Sequence, residues 1–307
     1  MRGRWKPCWM ESVMLKRYLS HPLQGLAAQI FFALVQLLPI KWASACGGFL
    51  GRTIGPALSI SKRARRNFAI AFPDITPEET ENLVLDMWDN LGRTVMEYPL
   101  LNRIRVEGKQ AHVELIGAQY LDLLREDDKP GLFFSGHLAN WEIPAICVAK
   151  LGLTPHLIYR SPNNPYVEKL FQRRHLKDST LIQKGSKGAK MALKALLAGG
   201  HLGMLIDQKM NDGIPVPLFG HDAMTAPALA QLALKFDCPV IPIKVERLQG
   251  LSFRVTCYPP LEIKPGSDKT ADVLAITTQV NRTLENWIRE NPAQWLWLHN
   301  RWPDDIS

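Results

Sequence analysis

Hydrophobic positions along most of the chain fall into short apolar runs that alternate with stretches of helical periodicity. The runs predict six strands, and helical segments lie between most of them. This alternation is typical of α/β folds, so we predict one domain with a mixed, largely parallel central sheet flanked by helices. The predicted strands are Val113–Ile116, Gly131–Phe134, Thr154–Tyr159, Leu202–Ile206, Val240–Val245 and Phe253–Cys257.

The helices have recognisable start signals. Thr76, Pro77 and Glu79 form the pattern of an N-cap, a first-turn proline and a capping box, and the helix that they begin is expected to reach about Glu97. The other predicted helices are Ala118–Arg125, Trp141–Leu151, Tyr166–Leu176, Gly188–Ala198, Ala226–Phe236 and about Thr270–Glu290.

A different pattern fills the N-terminal part of the chain. Leu23–Ile40 carries three glutamines and no charge, but it falls just short of the about 20 apolar residues that span a bilayer. A transmembrane or surface-lying membrane anchor and a buried core helix both stay open. A signal peptide ending at Ala43-Ser44-Ala45 is disfavoured by the long basic leader and by Lys41. Basic residues on both sides favour an anchor on an anionic leaflet.

Composition narrows the classes of function. Lys and Arg number 37 against 29 Asp and Glu, which gives a formal net charge of +8 and favours anionic partners. The sequence lacks helix-turn-helix spacing, zinc-finger spacing and basic patches interleaved with aromatic residues, so we expect no nucleic-acid partner. The five cysteines include no C-x-x-C pair, which indicates reduced thiols rather than disulfides or a zinc site.

Polar side chains follow four of the predicted strands. His137 follows the second strand, Arg160 the third, Asp207 and Gln208 the fourth, and Arg247 the fifth. Ligands of open α/β sheets bind beyond the carboxyl ends of the strands, so we expect these groups to line one site. For any one of them, a solvated loop position is the alternative.

His137 and Glu142 are the candidates for chemistry. Residues five apart do not meet on a regular helix, so the pair can cooperate only if the chain bends between them. Gly136 permits a bend, and Asn140 as an N-cap would place Glu142 at the amino end of a helix. A carboxylate beside the ring would fix its tautomer and leave one ring nitrogen free as a base. On this spacing alone, a structural histidine remains the alternative.

Other chemistries fit the sequence less well. The remaining histidines show no zinc-binding spacing, Ser135 lacks the first glycine of a nucleophile elbow, and no phosphate-binding P-loop is present. We therefore expect neither a metal ion nor a cofactor.

Phe134-Ser-Gly-His-Leu-Ala-Asn-Trp-Glu142 resembles the His-x4-Asp/Glu motif of the lysophospholipid acyltransferase superfamily. Its Asn-Trp-Glu form is similar to the lipid A branch, the late lauroyl and myristoyl acyltransferases. The resemblance extends from about Tyr18 to Pro303 and implies a glycerolipid-acyltransferase-like fold. On this basis we divide the chain into a basic leader (1–20), a membrane-anchoring helical segment (21–60) and an acyltransferase domain (61–307). Further similar blocks are Ile158–Pro165, Ile206–Gly220, Cys238–Pro242 and Trp297–Trp302.

The resemblance implies that His137 is a general base with Glu142 as its partner. It implies an acyl-acyl carrier protein as donor, a phosphorylated lipid A precursor as acceptor and a place at the cytoplasmic face of the bacterial inner membrane. Two alternatives stay open, namely transfer to another lysophospholipid or glycolipid and a non-catalytic membrane lipid-binding protein. The substrate-binding residues implied are Arg160, which would hold anionic head groups, Asp207 and Gln208, which would shape the acceptor site, and Asn140.

Overall fold

The computed structural model describes residues 20–125, 129–172, 179–303 and 306. Most of the predicted basic leader, and residues 173–176 of one predicted helix, lie outside these ranges. The strands are β1 (Val113–Ile116), β2 (Gly131–Ser135), β3 (Pro155–Tyr159), β4 (Thr180–Gln183), β5 (His201–Leu205), β6 (Ile214–Leu218), β7 (His221–Thr225), β8 (Val240–Gln249) and β9 (Ser252–Cys257).

The helices pack around this framework, and the described residues also form three short 3₁₀ segments, at Gly55–Ala57, Tyr98–Arg103 and Pro292–Gln294. The α-helices are α1 (His21–Gln36), α2 (Ile40–Ile54), α3 (Ser61–Ala71), α4 (Pro77–Glu97), α5 (Gln119–Arg125), α6 (Ile143–Lys150), α7 (Pro165–Gln172), α8 (Ser186–Leu197), α9 (Ala228–Phe236) and α10 (Lys269–Glu290).

The main sheet has seven strands in the order β1-β9-β8-β2-β5-β3-β4. The five strands from β8 to β4 are parallel to one another, whereas β9 runs antiparallel to β8 and parallel to β1. The predicted mixed, largely parallel sheet is thus confirmed. Because five parallel strands end at one edge, the residues that follow them are brought together there.

Strand β2 lies at the centre of the sheet and is buried along its whole length. Leu132 and Phe134 are inaccessible to solvent, which explains why this strand is a continuous apolar run rather than an alternating one. Its last residue, Ser135, is in register with Leu205 of β5. The two chains therefore leave the sheet side by side.

Helix α4 begins as the sequence predicts. Thr76 accepts a hydrogen bond from the backbone N–H of Glu79, and the Glu79 carboxylate accepts one from the backbone N–H of Thr76, which completes the capping box. The helix then packs closely on α2. A Cβ added at Gly92 would lie 2.0 Å from the carbonyl oxygen of Gly47, so the two backbones touch through glycine.

The N-terminal apolar run Leu23–Ile40 is not one helix. Helix α1 ends at Gln36, and Pro39, which lacks an N–H, stands directly before α2. Two helices therefore form the segment that was predicted to anchor the protein, and its contact with a membrane stays a prediction. None of the described helices combines enough length and hydropathy to cross a lipid bilayer.

Much of this N-terminal helix pair is exposed and apolar, which disagrees with a buried core helix. Leu37 is 80% exposed and Trp42 is 74% exposed, whereas only Gly25 and Val35 of α1 are buried. We call the exposed large side chains of α1, α2 and their connection the N-terminal apolar face; it comprises Leu23, Leu26, Ile30, Phe31, Leu34, Leu37, Leu38, Trp42, Phe49, Leu50 and Ile54.

Candidate active site

His137 lies in a short loop that follows the central strand. The backbone of Ala139 has a φ of 46°, a left-handed conformation that is unusual for a residue other than glycine. The C-terminal segment holds this conformation in place, since the N–H of Ala139 donates to the carbonyl of Gln294 at 2.8 Å and the N–H of Leu296 donates to the carbonyl of His137 at 3.0 Å. The predicted bend between His137 and Glu142 is present.

Asp207, which follows β5, contacts His137 twice. One carboxylate oxygen lies 2.7 Å from Nδ1 of the ring, and the other accepts the backbone N–H of His137 at 2.7 Å. The indole N–H of Trp295 donates to that second oxygen, also at 2.7 Å. A Cβ at Gly136 would lie 2.9 Å from Cδ2 of Leu284 and in ordinary contact, 3.4 Å, with the same oxygen, so this glycine leaves room for the leucine side chain.

These contacts fix the chemical state of both side chains. Burial by itself would raise the pKa of Asp207, but the positive charge and the hydrogen bonds of His137 outweigh it and hold the pKa well below its usual range. An ionised carboxylate requires a donor, so Nδ1 of His137 carries a proton, and in the neutral form of the ring Nε2 keeps its lone pair. Nε2 lies 3.4 Å from the amide nitrogen of Gln208, and the histidine side chain is 14% exposed.

Glu142 lies at the amino end of helix α6 as predicted, but Glu142 itself, and not Asn140, is at the N-cap position. Among the described residues it makes no hydrogen bond to His137, and the orienting contact comes from Asp207 instead. Helix α6 begins one residue later, at Ile143. Burial raises the pKa of Glu142 to about 7, although the charge of His137 and a contact with Trp141 act in the opposite direction. The Glu142 carboxyl group therefore lies close to the imidazole of His137, and this carboxyl group changes its charge near neutral pH.

Asn140 supports the loop from below. Its side chain is buried, accepts the backbone N–H of Glu142 at 3.3 Å and donates to the carboxylate of Glu97 at 2.8 Å. Glu97 is fully buried and is paired with Arg247, at 2.6 and 3.0 Å. These contacts give Asn140 a role in shaping the loop, and its predicted role in substrate binding stays a prediction.

Arg247 is not at the end of a strand as predicted. Strand β8 continues to Gln249, so Arg247 lies within it and points into the interior. Its guanidinium also donates to Asn90 at 2.9 Å and to Thr94 at 3.2 Å. Both residues donate in turn to the carbonyl of Ala139, at 3.2 and 3.0 Å respectively. Arg247 therefore supports the His137 loop from within the protein.

Arg160 and Lys184 form a cationic pair at the same sheet edge. They directly follow β3 and β4, and the N–H of Lys184 donates to the carbonyl of Tyr159 at 2.8 Å. Burial lowers the pKa of Lys184, the charge of Asp207 raises it and that of Arg160 lowers it again, so the lysine lies within electrostatic range of both. Neighbouring strands are spaced by about 4.8 Å, which puts β4 roughly 14 Å from β2.

Two further groups border the site and were not predicted from the sequence. Burial lowers the pKa of His299 to about 4, so this ring is neutral at pH 7, and both its nitrogens lack a hydrogen-bond partner among the described residues. Its ring lies against Trp295, with centroids 5.0 Å apart. Arg301 is buried and donates to the carbonyl of Met224 at 2.9 Å.

The sequence offered one indication of Trp295, His299 and Arg301: all three lie in or within a few residues of the C-terminal block Trp297–Trp302. Their role was hidden because nothing in that spacing indicates contact with Asp207. Within the part of the chain that the structure describes, no group of three His, Cys, Asp or Glu side chains is placed to hold a metal ion.

Comparison with known proteins shows the family of the chain. Residues 15–304 match the family described as bacterial lipid A biosynthesis acyltransferase. The chain is 26% identical to the lipid A biosynthesis lauroyltransferase of Escherichia coli (strain K12) over 301 residues, which cover 92% of this chain and 93% of that protein. It is 23% identical to the lipid A biosynthesis myristoyltransferase of the same organism over 282 residues, covering 89% and 86% respectively.

A third relative, from Haemophilus influenzae, is a lipid A biosynthesis acyltransferase that is 26% identical over 262 residues, covering 79% of this chain and 78% of the relative. Since the family match spans helices α1 and α2, the His137 loop and the C-terminal block that closes it, the protein is an acyltransferase that belongs to the bacterial lipid A biosynthesis acyltransferase family.

Proposed function

We propose that this enzyme moves a fatty acyl chain from acyl-acyl carrier protein to a free hydroxyl of a phosphorylated lipid A precursor, at the cytoplasmic face of the bacterial inner membrane. The observation that carries the chemical part is the Asp207–His137 pair at 2.7 Å, next to the C-terminal segment. Family membership supports the lipid A acceptor. It also argues against the alternative of a non-catalytic lipid-binding protein.

His137 acts as the general base in this proposal. Nε2 removes the proton from the acceptor hydroxyl as its oxygen attacks the thioester carbonyl carbon. The tetrahedral intermediate collapses with cleavage of the carbon–sulfur bond, and the imidazolium returns the proton to the departing thiolate. The products are an ester and a free thiol, and no covalent enzyme intermediate is needed.

Two carboxylates assist this step, with different tasks. Asp207 holds the imidazole in the tautomer that leaves Nε2 unprotonated, and its charge stabilises the imidazolium as it forms. Glu142 is the partner that the sequence motif indicates. Its charge lies within electrostatic range of His137, so the ionised form adds to the same stabilisation.

The acceptor's phosphate is assigned to Arg160, and Gln208 lies where a hydroxyl would approach Nε2. The basic character of the whole chain favours encounter with acyl carrier protein, which is acidic, and with a phosphorylated lipid. The N-terminal apolar face offers contact with the leaflet that holds the acceptor. Transfer to another lysophospholipid or glycolipid would use the same groups.

The test is acyl transfer by the purified enzyme in detergent micelles, with acyl-acyl carrier protein and a lipid A precursor. We expect His137→Ala to abolish transfer, whereas His221→Ala, at the start of β7, should leave it intact. Full activity in the His137 variant would remove the general-base assignment. Mass spectrometry of lipid A from a deletion strain tests the acceptor separately, since an unchanged acyl count would point to another lipid.

A further inference from the structure

A polar cavity lies at residues other than those that surround His137. It is a cleft of about 610 Å³ between α2, α4, the segment before β1 and the turn that joins β8 to β9. Its walls include Lys41 and Ser44 of α2, Arg93 of α4, Arg105 and His112. The cleft shares no residue with the active site described above, and we call it the cationic cleft.

The charges of this cleft are unbalanced. None of its lining residues is acidic. Arg93 is paired with Asp89 at 2.6 Å, but Lys41 and Arg105 have no carboxylate partner within the described ranges 20–125, 129–172 and 179–303. Two uncompensated cations that face one cavity favour an anionic occupant.

His112 adds a donor to the same wall. The backbone N–H of Arg105 donates to Nδ1 of His112 at 3.0 Å, so the neutral ring carries its proton on Nε2. Burial lowers the pKa of this histidine, and the charges of Arg105 and Lys41 lower it further. The neutral ring is therefore an N–H donor beside the two cations.

The cationic cleft borders the N-terminal apolar face. Lys41, Ser44 and Ala45 line the cleft from one side of α2. Trp42 and Phe49, which are 74% and 68% exposed, project from the adjoining side of the same helix. A phospholipid presents the same arrangement, with apolar chains next to a phosphate. The basic leader is a poor occupant of the cleft because it carries five Lys and Arg residues and one Glu before residue 20.

We propose that the cationic cleft binds the phosphate of an anionic phospholipid of the membrane leaflet on which the N-terminal apolar face rests. Lys41 and Arg105 supply the charge and His112 supplies a hydrogen-bond donor. The bound lipid is a structural lipid that fixes how the enzyme sits on the bilayer, and it is neither the acyl donor nor the acceptor. This site does not depend on which lipid the enzyme acylates.

The test is flotation of the full-length protein with two kinds of vesicle, phosphatidylcholine alone and phosphatidylcholine mixed with phosphatidylglycerol. The double variant Lys41→Gln/Arg105→Gln is compared with Lys264→Gln/Lys269→Gln, which removes the same charge far from the cleft in sequence. We expect the cleft variant to lose roughly thirtyfold in partitioning to the anionic vesicles. The control variant should lose much less, and neither should change on neutral vesicles.

Folding is checked by circular dichroism and by the melting temperature, and Lys41→Arg/Arg105→Lys should restore binding because it keeps both charges. An equal loss in the two double variants would mean that total charge, not a built site, drives binding, and would overturn the proposal. So would undiminished binding by the cleft variant. A dimer that dissociates in that variant would assign the cleft to a second copy of the chain instead.

Discussion

The carboxylate of Asp207 accepts two hydrogen bonds from His137, one from Nδ1 of the ring and one from the backbone N–H, at 2.7 Å each. Replacing Asp207 by Asn keeps the shape but removes the charge that holds the tautomer. We expect kcat to fall about 10²–10⁴-fold, with a small change in KM. Steady-state kinetics in micelles measure this, with the exposed Asp212→Asn as control. A kcat close to that of the wild type would show that another group orients the ring.

Glu142→Gln separates stability from activity. The folded-state pKa of Glu142 is raised to about 7, above its unfolded value, so the folded protein binds an extra proton and its stability falls as pH rises between about 4.5 and 7. Glutamine lacks this dependence. We expect the variant to be on the order of 1–3 kcal/mol more stable than the wild type at pH 8 and equally stable near pH 4.

Urea unfolding at the two pH values measures that difference, and Glu262→Gln, at a position that is 83% exposed, should show almost none. Glu142→Gln should also turn over more slowly than the wild type at pH 8, because it lacks the negative charge that favours the imidazolium form of His137. A variant that is less stable at pH 8 would contradict the assignment of burial as the main cause.

Glu97 and Arg247 form a buried pair beneath the His137 loop. Glu97→Gln leaves the guanidinium without its counter-charge, and we expect a loss of about 3–5 kcal/mol in the free energy of unfolding. The double variant Glu97→Leu/Arg247→Met should lose less than the single one. Glu114→Gln, which breaks the exposed pair with Arg254, should cost under about 1 kcal/mol. An equal loss of unfolding free energy in Glu97→Gln and Glu114→Gln would contradict the assignment of Glu97 and Arg247 as a buried ion pair.

Gly92→Ala tests the contact between α2 and α4. Replacing an exposed glycine in a helix by alanine usually stabilises a protein by about 1 kcal/mol. Here the new Cβ would meet the carbonyl oxygen of Gly47 at 2.0 Å, so we expect a loss of about 1–3 kcal/mol. Thermal unfolding gives the sign directly, with Cys46→Ala on the exposed side of α2 as control. A stabilised Gly92→Ala would mean that the helices are not in contact there.

Arg160→Gln and Lys184→Gln test the cationic pair at the ends of β3 and β4. We expect each to raise the KM for a phosphorylated acceptor about tenfold and to leave kcat nearly unchanged, since β3 and β4 lie two and three strand spacings, roughly 10 and 14 Å, from β2, which His137 follows. Lys194→Gln, on helix α8, which follows β4, is the control. If acceptors with and without phosphate are affected alike, the pair does not read the phosphate.

The sequence was most informative where pattern and local chemistry agree. The alternating apolar runs located β1, β2, β3, β5, β8 and β9, and the capping box of Thr76 set the start of α4. Strand β6 was missed because Pro215 and Pro217 argue against a strand. The two prolines are tolerated there because β6 pairs only with β7, outside the main sheet. Strand β4 is four residues long and has polar ends, too little to be recognised.

The candidate site was predicted in its residues but not in its pairing. His137, Asp207, Arg160 and Gln208 were placed at one edge by topology alone, as the parallel strands require. Which carboxylate reaches the ring depends on the order of β2 and β5 in the sheet, and no local spacing encodes it. The supporting roles of Glu97 and Trp295 depend on contacts across long separations in the sequence.

The closure of the His137 loop by Gln294 and Leu296 also sets an order of events during synthesis. The ribosome delivers α1 and α2 first, the loop much later, and residues 294–296 only after every strand of the sheet has been made. A nascent chain therefore exposes its N-terminal apolar face long before its base can be positioned. The membrane contact proposed above can therefore be made by a chain that is still unable to acylate anything.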